Sequence, residues 1–347
     1  MKVFAAMAPD MPLAQVAGYA KRIESLGFDG LHIAETIHDS LAAALLAVEH
    51  TERLVIRTAV TLAFVRSPML MAYTAWDLAI LSEGRFELGL GTQVRQNIEG
   101  RFGMPWSEPR ARMADYIAAL NAIFTAFRTG EPVNHEGQAY RINRLQPYFN
   151  PGPKELDPPR IWLGAVNAGM CELAGSVAHG VVTHSTNSDP QFLRDVVRPA
   201  VARGAQMSDR HEEPRVIAST AIATGPTDQS VIRERERQRR MLAFLLSTPS
   251  YATALKRRGW TDLAVDLRHL TKQERWKDLS SILNDDVLDE LVTIGRYDQL
   301  PALLRTKYAG LADGVVLPPV DVDDDEGLSN CVRDIQTGHD RSSLGTN

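Results

Sequence analysis

The sequence predicts an α/β fold, a closed (β/α)8 barrel with insertions, and three observations lead to that prediction. Apolar, β-branched runs of strand length alternate with helix-like stretches, and this alternation occurs eight times along the 347 residues. The runs are apolar throughout, as in strands of a parallel sheet that is covered by helices. No Gly-x-Gly-x-x-Gly follows the first run, which favours a barrel over a doubly wound dinucleotide-binding sheet.

The predicted elements follow one another in a regular order. Strands are predicted over residues 3–8, 31–34, 54–62, 86–90, 161–165, 180–184, 216–224 and 314–317. Helices are predicted over 13–26, 41–50, 68–81, 110–127, 170–177 and 191–202, then over a long region after the seventh strand and a last stretch after the eighth. Pro68 suits the first turn of its helix, and Gly27 suits a helix end.

We expect residues 1–347 to form a single domain in which two segments interrupt the barrel pattern. Residues 130–159 are rich in proline and glycine, which predicts a hairpin followed by a loop over the barrel mouth. Residues 225–313 predict a mainly helical insertion before the last strand. Barrels commonly carry function in loops of this kind at their carboxyl face.

Composition narrows the function classes. The formal net charge of −5 argues against a nucleic-acid surface. Cys171 and Cys331 stand without a Cys-x-x-Cys or Cys/His spacing, so neither a disulfide framework nor a metal site is expected. The N-terminus has no signal-peptide pattern, and no apolar segment is long enough to span a bilayer. These features predict a cytoplasmic protein with no membrane partner.

The carboxyl ends of the second, third and fourth strands supply candidate site residues, because a barrel assembles its active site there. The candidates are Glu35 and Thr36 after the second strand, Ala59, Val60 and Thr61 at the third, and Thr92 and Gln93 after the fourth. For Glu35, a salt bridge or a helix cap is the structural alternative. The small residues of the third strand could instead fill a barrel layer. Glycines 89 and 91 are expected to let a flat ring or a phosphate approach the backbone.

The fifth and sixth strands end in a further set of candidates. Ala165, Val166 and Asn167 lead into a helix whose first N–H groups suit a phosphate, although capping of the helix by Asn167 is an equal alternative. His184 and Ser185 follow the sixth strand, where the histidine either contacts a ligand or packs in the core.

The sequence contains no motif for protein-borne catalysis. It has no nucleophile elbow, Walker loop, His-Glu-x-x-His or acidic metal cluster, which favours chemistry carried by an organic cofactor. The acidic run 321–327 is similar to a calcium loop, but Gly327 falls one place late and Val332 occupies the twelfth position. A solvated loop is the better interpretation.

Four segments carry a resemblance to a known family. They are YTAWDL at 73–78, GRFELGLGTQ at 84–93, RFGMPW at 101–106 and YFNPGP at 148–153. From about residue 1 to 319 the sequence resembles luciferase-like monooxygenases, and in particular their F420-dependent oxidoreductase branch. The resemblance implies a bacterial-luciferase-like TIM barrel that binds coenzyme F420, or alternatively FMN, at its carboxyl face. It also implies a homodimer.

The resemblance assigns roles to the strand-end candidates. It implies a non-proline cis peptide at Ala59–Val60 supporting the ring, with Thr61 beside it. It places Glu35 and Thr36 facing the ring, Thr92 and Gln93 in contact with it, Ala165 to Asn167 around the phosphate, and His184 with Ser185 on the neighbouring wall. Sugar-phosphate-oxidising members carry histidine at the position of Thr36 and glutamate at that of Val94, so the resemblance argues against that substrate.

The expected function is hydride transfer between C5 of the deazaflavin and a small organic substrate. Glu35 and His184 are expected to be the catalytic groups, and alanine at either position is expected to slow turnover far more than it lowers stability. Two alternatives remain open. One is an FMN-dependent monooxygenase, and the other is a barrel that binds a cofactor without catalysis.

Overall fold

The computed structural model describes residues 1–152, 156–208, 212–249, 251–320 and 323–338, and in it the predicted closed barrel is confirmed. Eight parallel strands follow the order β3-β2-β1-β13-β10-β9-β8-β5, and pairing of β3 with β5 closes the sheet. The strands are β1 Lys2–Ala6, β2 Gly30–Ile33, β3 Val55–Thr58, β4 Thr61–Leu62, β5 Phe86–Gly91, β6 His135–Glu136, β7 Arg141–Ile142, β8 Arg160–Ala165, β9 Gly180–Thr183, β10 Arg215–Ala218, β11 Ala221–Ala223, β12 Val292–Ile294 and β13 Gly314–Leu317.

Helices surround the sheet, as predicted. They are α1 Leu13–Ser25, α2 Ser40–Glu49, α3 Pro68–Leu81, α4 Arg95–Gly100, α5 Pro109–Thr129, α6 Ala168–Val177, α7 Pro190–Phe192, α8 Arg198–Gln206, α9 Asp228–Leu246, α10 Ala252–Arg257, α11 Thr261–Lys272, α12 Asp285–Leu291, α13 Leu300–Tyr308 and α14 Asp325–Thr337. Proline opens α3 and α5, where a first-turn N–H has no helical partner to lose. None of these helices is long and apolar enough to cross a membrane.

The barrel interior is packed in its middle layer. Inward residues of alternate strand positions form an apolar cluster there, comprising Phe4, Trp162, Val182, Ile217 and Val316. A buried ion pair adjoins this cluster, because Arg57 Nε donates to Glu87 Oε2 at 2.6 Å. The Arg57 guanidinium also stacks on the Trp162 ring at 3.7 Å from its centroid. The filled middle leaves the carboxyl end as the place where a ligand can enter.

The seventh predicted strand and the insertion after it differ from expectation. The strand is broken after Ala218, so that β10 belongs to the barrel and β11 pairs with β12 of the insertion. The insertion has its own apolar core between residues 221 and 292. Leu300 and Leu304 of α13 pack instead in the barrel's outer core. The independent part of the insertion therefore ends near residue 294 rather than at 313.

The segment 130–159 forms the predicted hairpin, but its expected position over the mouth is wrong. Asp115 of α5 accepts hydrogen bonds from the backbone N–H groups of Ala139 and Tyr140 just before β7. Further along, Asn150 donates to the Ala126 carbonyl near the end of α5. The described residues around 139–150 thus lie along the outer helices. Pro153, residues 321 and 322 of the calcium-like run, and the last nine residues of the predicted domain lie outside the described residues.

Candidate active site at the carboxyl end of the barrel

Small inward residues line the barrel mouth. Two positions beyond six of the large inward side chains, the strands carry a small or compact one, and these residues are partly exposed: Ala6, Ala34, Ala59, Gly164, Ser219 and Pro318. The period of two residues places them on the same side of the sheet as Phe4, Trp162 and Ile217. A flat ligand can therefore rest on a packed floor inside a ring of small side chains.

The third strand forms a bulge in this ring. The Ala59–Val60 peptide bond is cis, as the resemblance implies, and it separates β3 from β4. The Glu35 N–H donates to the Val60 carbonyl at 3.2 Å, and the Leu62 N–H donates to Glu35 Oε2 at 2.7 Å. Backbone and side chain of Glu35 therefore fix the bulge from both sides.

Glycines beside the bulge serve a purpose that the sequence interpretation missed. A Cβ on Gly91 would overlap Val60 Cγ2, and one on Gly164 would lie 2.9 Å from Val60 Cγ1. A Cβ on Gly89 would overlap the Thr58 carbonyl. The expectation that the Gly89 and Gly91 positions admit a ring or a phosphate is therefore wrong, because Thr58 and Val60 fill the space beside them. The absence of a side chain at these positions makes room for the bulge, and Val60 is the residue that faces the mouth.

Glu35 is held in a buried ion pair. Its carboxylate accepts from Arg66 at 2.6 Å and 3.0 Å, and the two side chains are 9% and 13% exposed. Arg66 also contacts Asp39, whose side chain is 49% exposed, at 2.8 Å. This arrangement favours the salt-bridge alternative, in which Glu35 positions the bulge rather than exchanging protons. No sequence pattern points to Arg66 as the partner of Glu35.

The stability expectation for Glu35 changes accordingly. Replacing Glu35 with alanine leaves the Arg66 guanidinium and the Leu62 N–H without their buried acceptor, so we expect a loss of about 3 kcal/mol in the free energy of unfolding. The matched variant Asp39→Asn keeps the cap on α2 and removes only an exposed charge, so we expect a loss below about 1 kcal/mol. Urea unfolding of both variants measures this. Equal losses would contradict the positioning role.

Two threonine candidates have their hydroxyl groups engaged by other parts of the chain. Thr36 Oγ1 donates to the Pro9 carbonyl at 2.7 Å, and the Thr36 carbonyl accepts from Arg101 at 2.6 Å. Thr61 is fully buried, and its hydroxyl pairs with Ser40 at 2.8 Å. These residues tie neighbouring loops together, and a side-chain role toward a ligand is not available to Thr61.

Thr92 and Gln93 leave β5 in an unusual turn. Gln93 has φ of 58°, a left-handed conformation that non-glycine residues rarely adopt and that recurs at functional sites. Gln93 Oε1 accepts from the Val94 N–H at 2.9 Å, and the Thr92 hydroxyl donates to the Gln93 carbonyl at 3.1 Å. Both residues stay partly exposed at the mouth.

The start of α6 is compatible with both alternatives, capping by Asn167 and binding of a phosphate. Asn167 Oδ1 accepts from the Met170 N–H at 3.0 Å, so Asn167 does cap the helix. The N–H groups of Ala168 and Gly169 precede that bond and have no partner within the helix. Ala165 points outward into the core, and Val166 leads the backbone to the mouth. The helix terminus thus still offers two backbone donors.

His184 lies inward at the end of β9 beneath an aromatic residue of the insertion. The rings of His184 and Tyr251 stack with centroids 4.6 Å apart and planes 5° from parallel. Burial lowers the pKa of His184 to about 4, so the imidazole is neutral at pH 7. Ser185 follows it, partly exposed. Tyr251 escaped prediction because no periodic pattern links the insertion to the mouth.

The depressed pKa of His184 makes stability depend on pH. Above pH 6.5 neither the folded nor the unfolded chain binds this proton. Between pH 6.5 and 4 mainly the unfolded chain binds it, so the free energy of unfolding falls by about 3 kcal/mol in total as the pH decreases through this range. We expect His184→Phe, which keeps the stack, to reduce this slope in urea unfolding at several pH values. The exposed control His269→Gln should retain the slope, and an unchanged slope in His184→Phe would refute the assignment.

The described residues contain no group of three or more histidine, cysteine or acidic side chains that could hold a metal ion.

The model of a family described as luciferase-like monooxygenase matches residues 2–314. An uncharacterised protein of Mycobacterium tuberculosis is 38% identical over 305 residues, 88% of this chain and 89% of that protein. The 5,10-methylenetetrahydromethanopterin reductase of Methanolobus tindarius is 27% identical over 241 residues, 69% of each chain.

Two solved structures share the fold. The coenzyme F420 dependent tetrahydromethanopterin reductase from Methanopyrus kandleri matches with a TM-score of 0.80 at 18% identity, over 97% of this chain and 99% of that one. The oxygenating constituent of 3,6-diketocamphane monooxygenase from Pseudomonas putida, in complex with FMN, matches with a TM-score of 0.68 at 16% identity, over 96% and 95%.

Proposed function

The chain belongs to the luciferase-like monooxygenase family, and on that premise we propose that it is an F420-dependent oxidoreductase. It transfers hydride between C5 of the deazaflavin and a small organic substrate. Relatives in this family include F420-dependent enzymes and flavin monooxygenases. The sequence relative from Methanolobus tindarius is named as a methylenetetrahydromethanopterin reductase, and its structural counterpart is F420 dependent, which supports F420 over FMN.

The observation that carries the proposal is that the bulge and the N-terminus of α6 lie next to each other at the mouth. Val60 packs against Gly164, and α6 begins four residues later at Ala168. A ring resting on Ala59 and Val60 would thus have backbone N–H donors within the same surface for its phosphate. The residues present fit a flavin-like cofactor.

The protein's own contribution is positioning. When bound, the deazaflavin would supply the hydride chemistry. Glu35 and Arg66 hold the bulge beneath it, Gln93 and Thr92 border the mouth, and His184 with Tyr251 closes the opposite wall. Holding two reacting atoms face to face in a site that excludes water can lower a barrier by several kcal/mol.

Equilibrium binding of F420 and of FMN to the purified protein, side by side, tests the proposal. We expect F420 to bind more tightly. Gly169→Asp should weaken binding tenfold or more, because its carboxylate repels a phosphate at the α6 terminus. Gly169→Ala is the matched control, since its Cβ would meet nothing closer than 3.5 Å. Preference for FMN, with oxygen consumption on turnover, would replace the proposal by a monooxygenase. Binding of neither cofactor would remove it.

We also propose a homodimer formed through α2 and α3. A groove of about 390 Å³ between these helices is lined by Leu41, Leu45, Leu70 and Leu78, with Asp39 and Asp77 among its polar residues. Leu45 and Leu70 are 46% and 58% exposed, and exposed apolar residues that are grouped in one groove, rather than scattered singly, are typical of association surfaces. Sedimentation of the wild type and of Leu70→Glu tests this. A wild-type monomer would overturn it.

A further inference from the structure

A chain of three hydrogen bonds leads from the backbone to His184. Asn187 Nδ2 donates to the Val166 carbonyl at 3.2 Å. Thr186 Oγ1 donates to Asn187 Oδ1 at 2.6 Å, and Thr186 Oγ1 lies 2.9 Å from His184 Nδ1. Thr186 and Asn187 are buried, at 4% and 6% exposure, so water does not compete with these bonds.

The direction of the bonds determines which imidazole nitrogen carries the proton. The Val166 carbonyl can only accept, so the Asn187 amide must turn its NH₂ toward it and its oxygen toward Thr186. The single Thr186 hydroxyl proton then serves Asn187. Thr186 Oγ1 can therefore only accept from His184, which requires a proton on Nδ1.

A second contact of Nδ1 does not reverse this conclusion. The Thr186 backbone N–H also donates to Nδ1, which caps the short helix 185–187, but over a long distance of 3.4 Å. If Nδ1 were unprotonated, its lone pair would face a lone pair of Thr186 Oγ1 at 2.9 Å. The shorter, well-formed bond outweighs the longer one, because hydrogen bonds weaken with distance.

We propose that His184 presents Nε2 to the mouth as a hydrogen-bond acceptor, with Thr186 and Asn187 as positioning residues and Tyr251 as the wall that fixes the ring. Nε2 has no partner among the described residues, and His184 lies inward at the carboxyl end of β9. A neutral acceptor there selects a substrate group that donates, namely a hydroxyl or an amine. It disfavours a phosphate or carboxylate at this position, because lone pairs would face each other.

The consequence for chemistry rests on the proposed function. In oxidation of an alcohol, the carbinol carbon would give its hydride to the bound deazaflavin, the C–O bond would become a carbonyl, and the hydroxyl proton would pass to Nε2. That proton becomes strongly acidic as the hydride departs. A weakly basic imidazole, whose pKa burial lowers to about 4, therefore suffices to accept it.

The tautomer is measured without cofactor or turnover, by ¹⁵N NMR of the labelled apoprotein at pH 7. We expect Nδ1 of His184 to carry the proton and Nε2 to show the shift of an unprotonated nitrogen, with the signals assigned by their loss in His184→Phe. Protonation of Nε2 alone, or of both nitrogens, would overturn the proposal. Because this readout needs no F420, its failure is distinguishable from failure of cofactor binding.

A pair of variants tests the positioning role. Thr186→Val removes the acceptor for Nδ1–H while keeping the side-chain volume, so we expect a substantial population of the other tautomer. Thr186→Ser keeps the hydroxyl and should restore the wild-type spectrum. With a hydroxyl substrate, Thr186→Val should lower kcat at least tenfold, and Thr186→Ser should not. An unaltered tautomer in folded Thr186→Val would contradict the role of Thr186.

Discussion

Replacement of Gly91 with alanine is expected to displace the bulge and to weaken cofactor binding at least tenfold. The added Cβ would occupy the position of Val60 Cγ2. Val60 cannot turn away freely, because its other methyl group already lies against Gly164. Overpacking of this kind costs about 1–3 kcal/mol, and the displaced residue is the one proposed to support the ring. Urea unfolding and F420 titration measure the two effects.

A compensating variant shows whether Val60 is the cause. Val60→Ala removes both methyl groups and leaves its Cβ 3.3 Å from the new Cβ of residue 91, a tight but tolerable contact. We therefore expect the double variant to be more stable than Gly91→Ala alone, with a coupling energy of about 1–2 kcal/mol. Gly18→Ala is the control, since nothing lies within 4 Å of its Cβ and alanine favours a helix. Additive losses would contradict this explanation.

The barrel was predictable because its signals are local. Each buried strand is a short apolar run, each helix has its own periodicity, and the strand ends identify the mouth. The purpose of Gly91 was not predictable, because its neighbour Val60 lies 31 residues away in the sequence. From sequence, the missing side chain of Gly91 suggests room for a ligand, but in the structure Val60 fills that room.

The other site residues that could not be predicted from sequence depend on contacts between distant elements. Glu35 and Arg66 pair across 31 residues, and neither residue has a sequence pattern that points to the other. From sequence, Trp260, Trp276, Tyr140 and Tyr148 could line an apolar pocket, although packing in a small core of their own is the favoured interpretation. Trp260 and Tyr140 pack in cores, while Trp276 and Tyr148 are 50% and 90% exposed. The residue that reaches the mouth is Tyr251, which only the fold of the insertion brings to His184.

Arg57→Met is expected to cost about 3–5 kcal/mol in the free energy of unfolding, as for other buried ion pairs that lose one partner. Glu87, whose side chain is 10% exposed, would retain as its basic partner among the described residues only Arg160 at 4.0 Å. His32 would also lose a donor, because Arg57 Nη1 lies 2.9 Å from His32 Nε2. Burial and the charge of Arg57 hold the pKa of His32 well below its usual range, so the imidazole accepts this bond in its neutral form.

The partner variant and the double variant separate charge from packing. In Glu87→Gln the guanidinium keeps its contact with the Trp162 ring and an amide oxygen as acceptor, so we expect a smaller loss than in Arg57→Met. Arg57→Met with Glu87→Leu removes both charges, and we expect it to recover at least half of the loss, since an apolar pair needs no compensation. Urea unfolding at pH 7 measures all three. If the double variant is less stable than Arg57→Met, the uncompensated carboxylate is not the cause, and packing of the guanidinium between Phe4 and Trp162 is what stabilises the floor of the site.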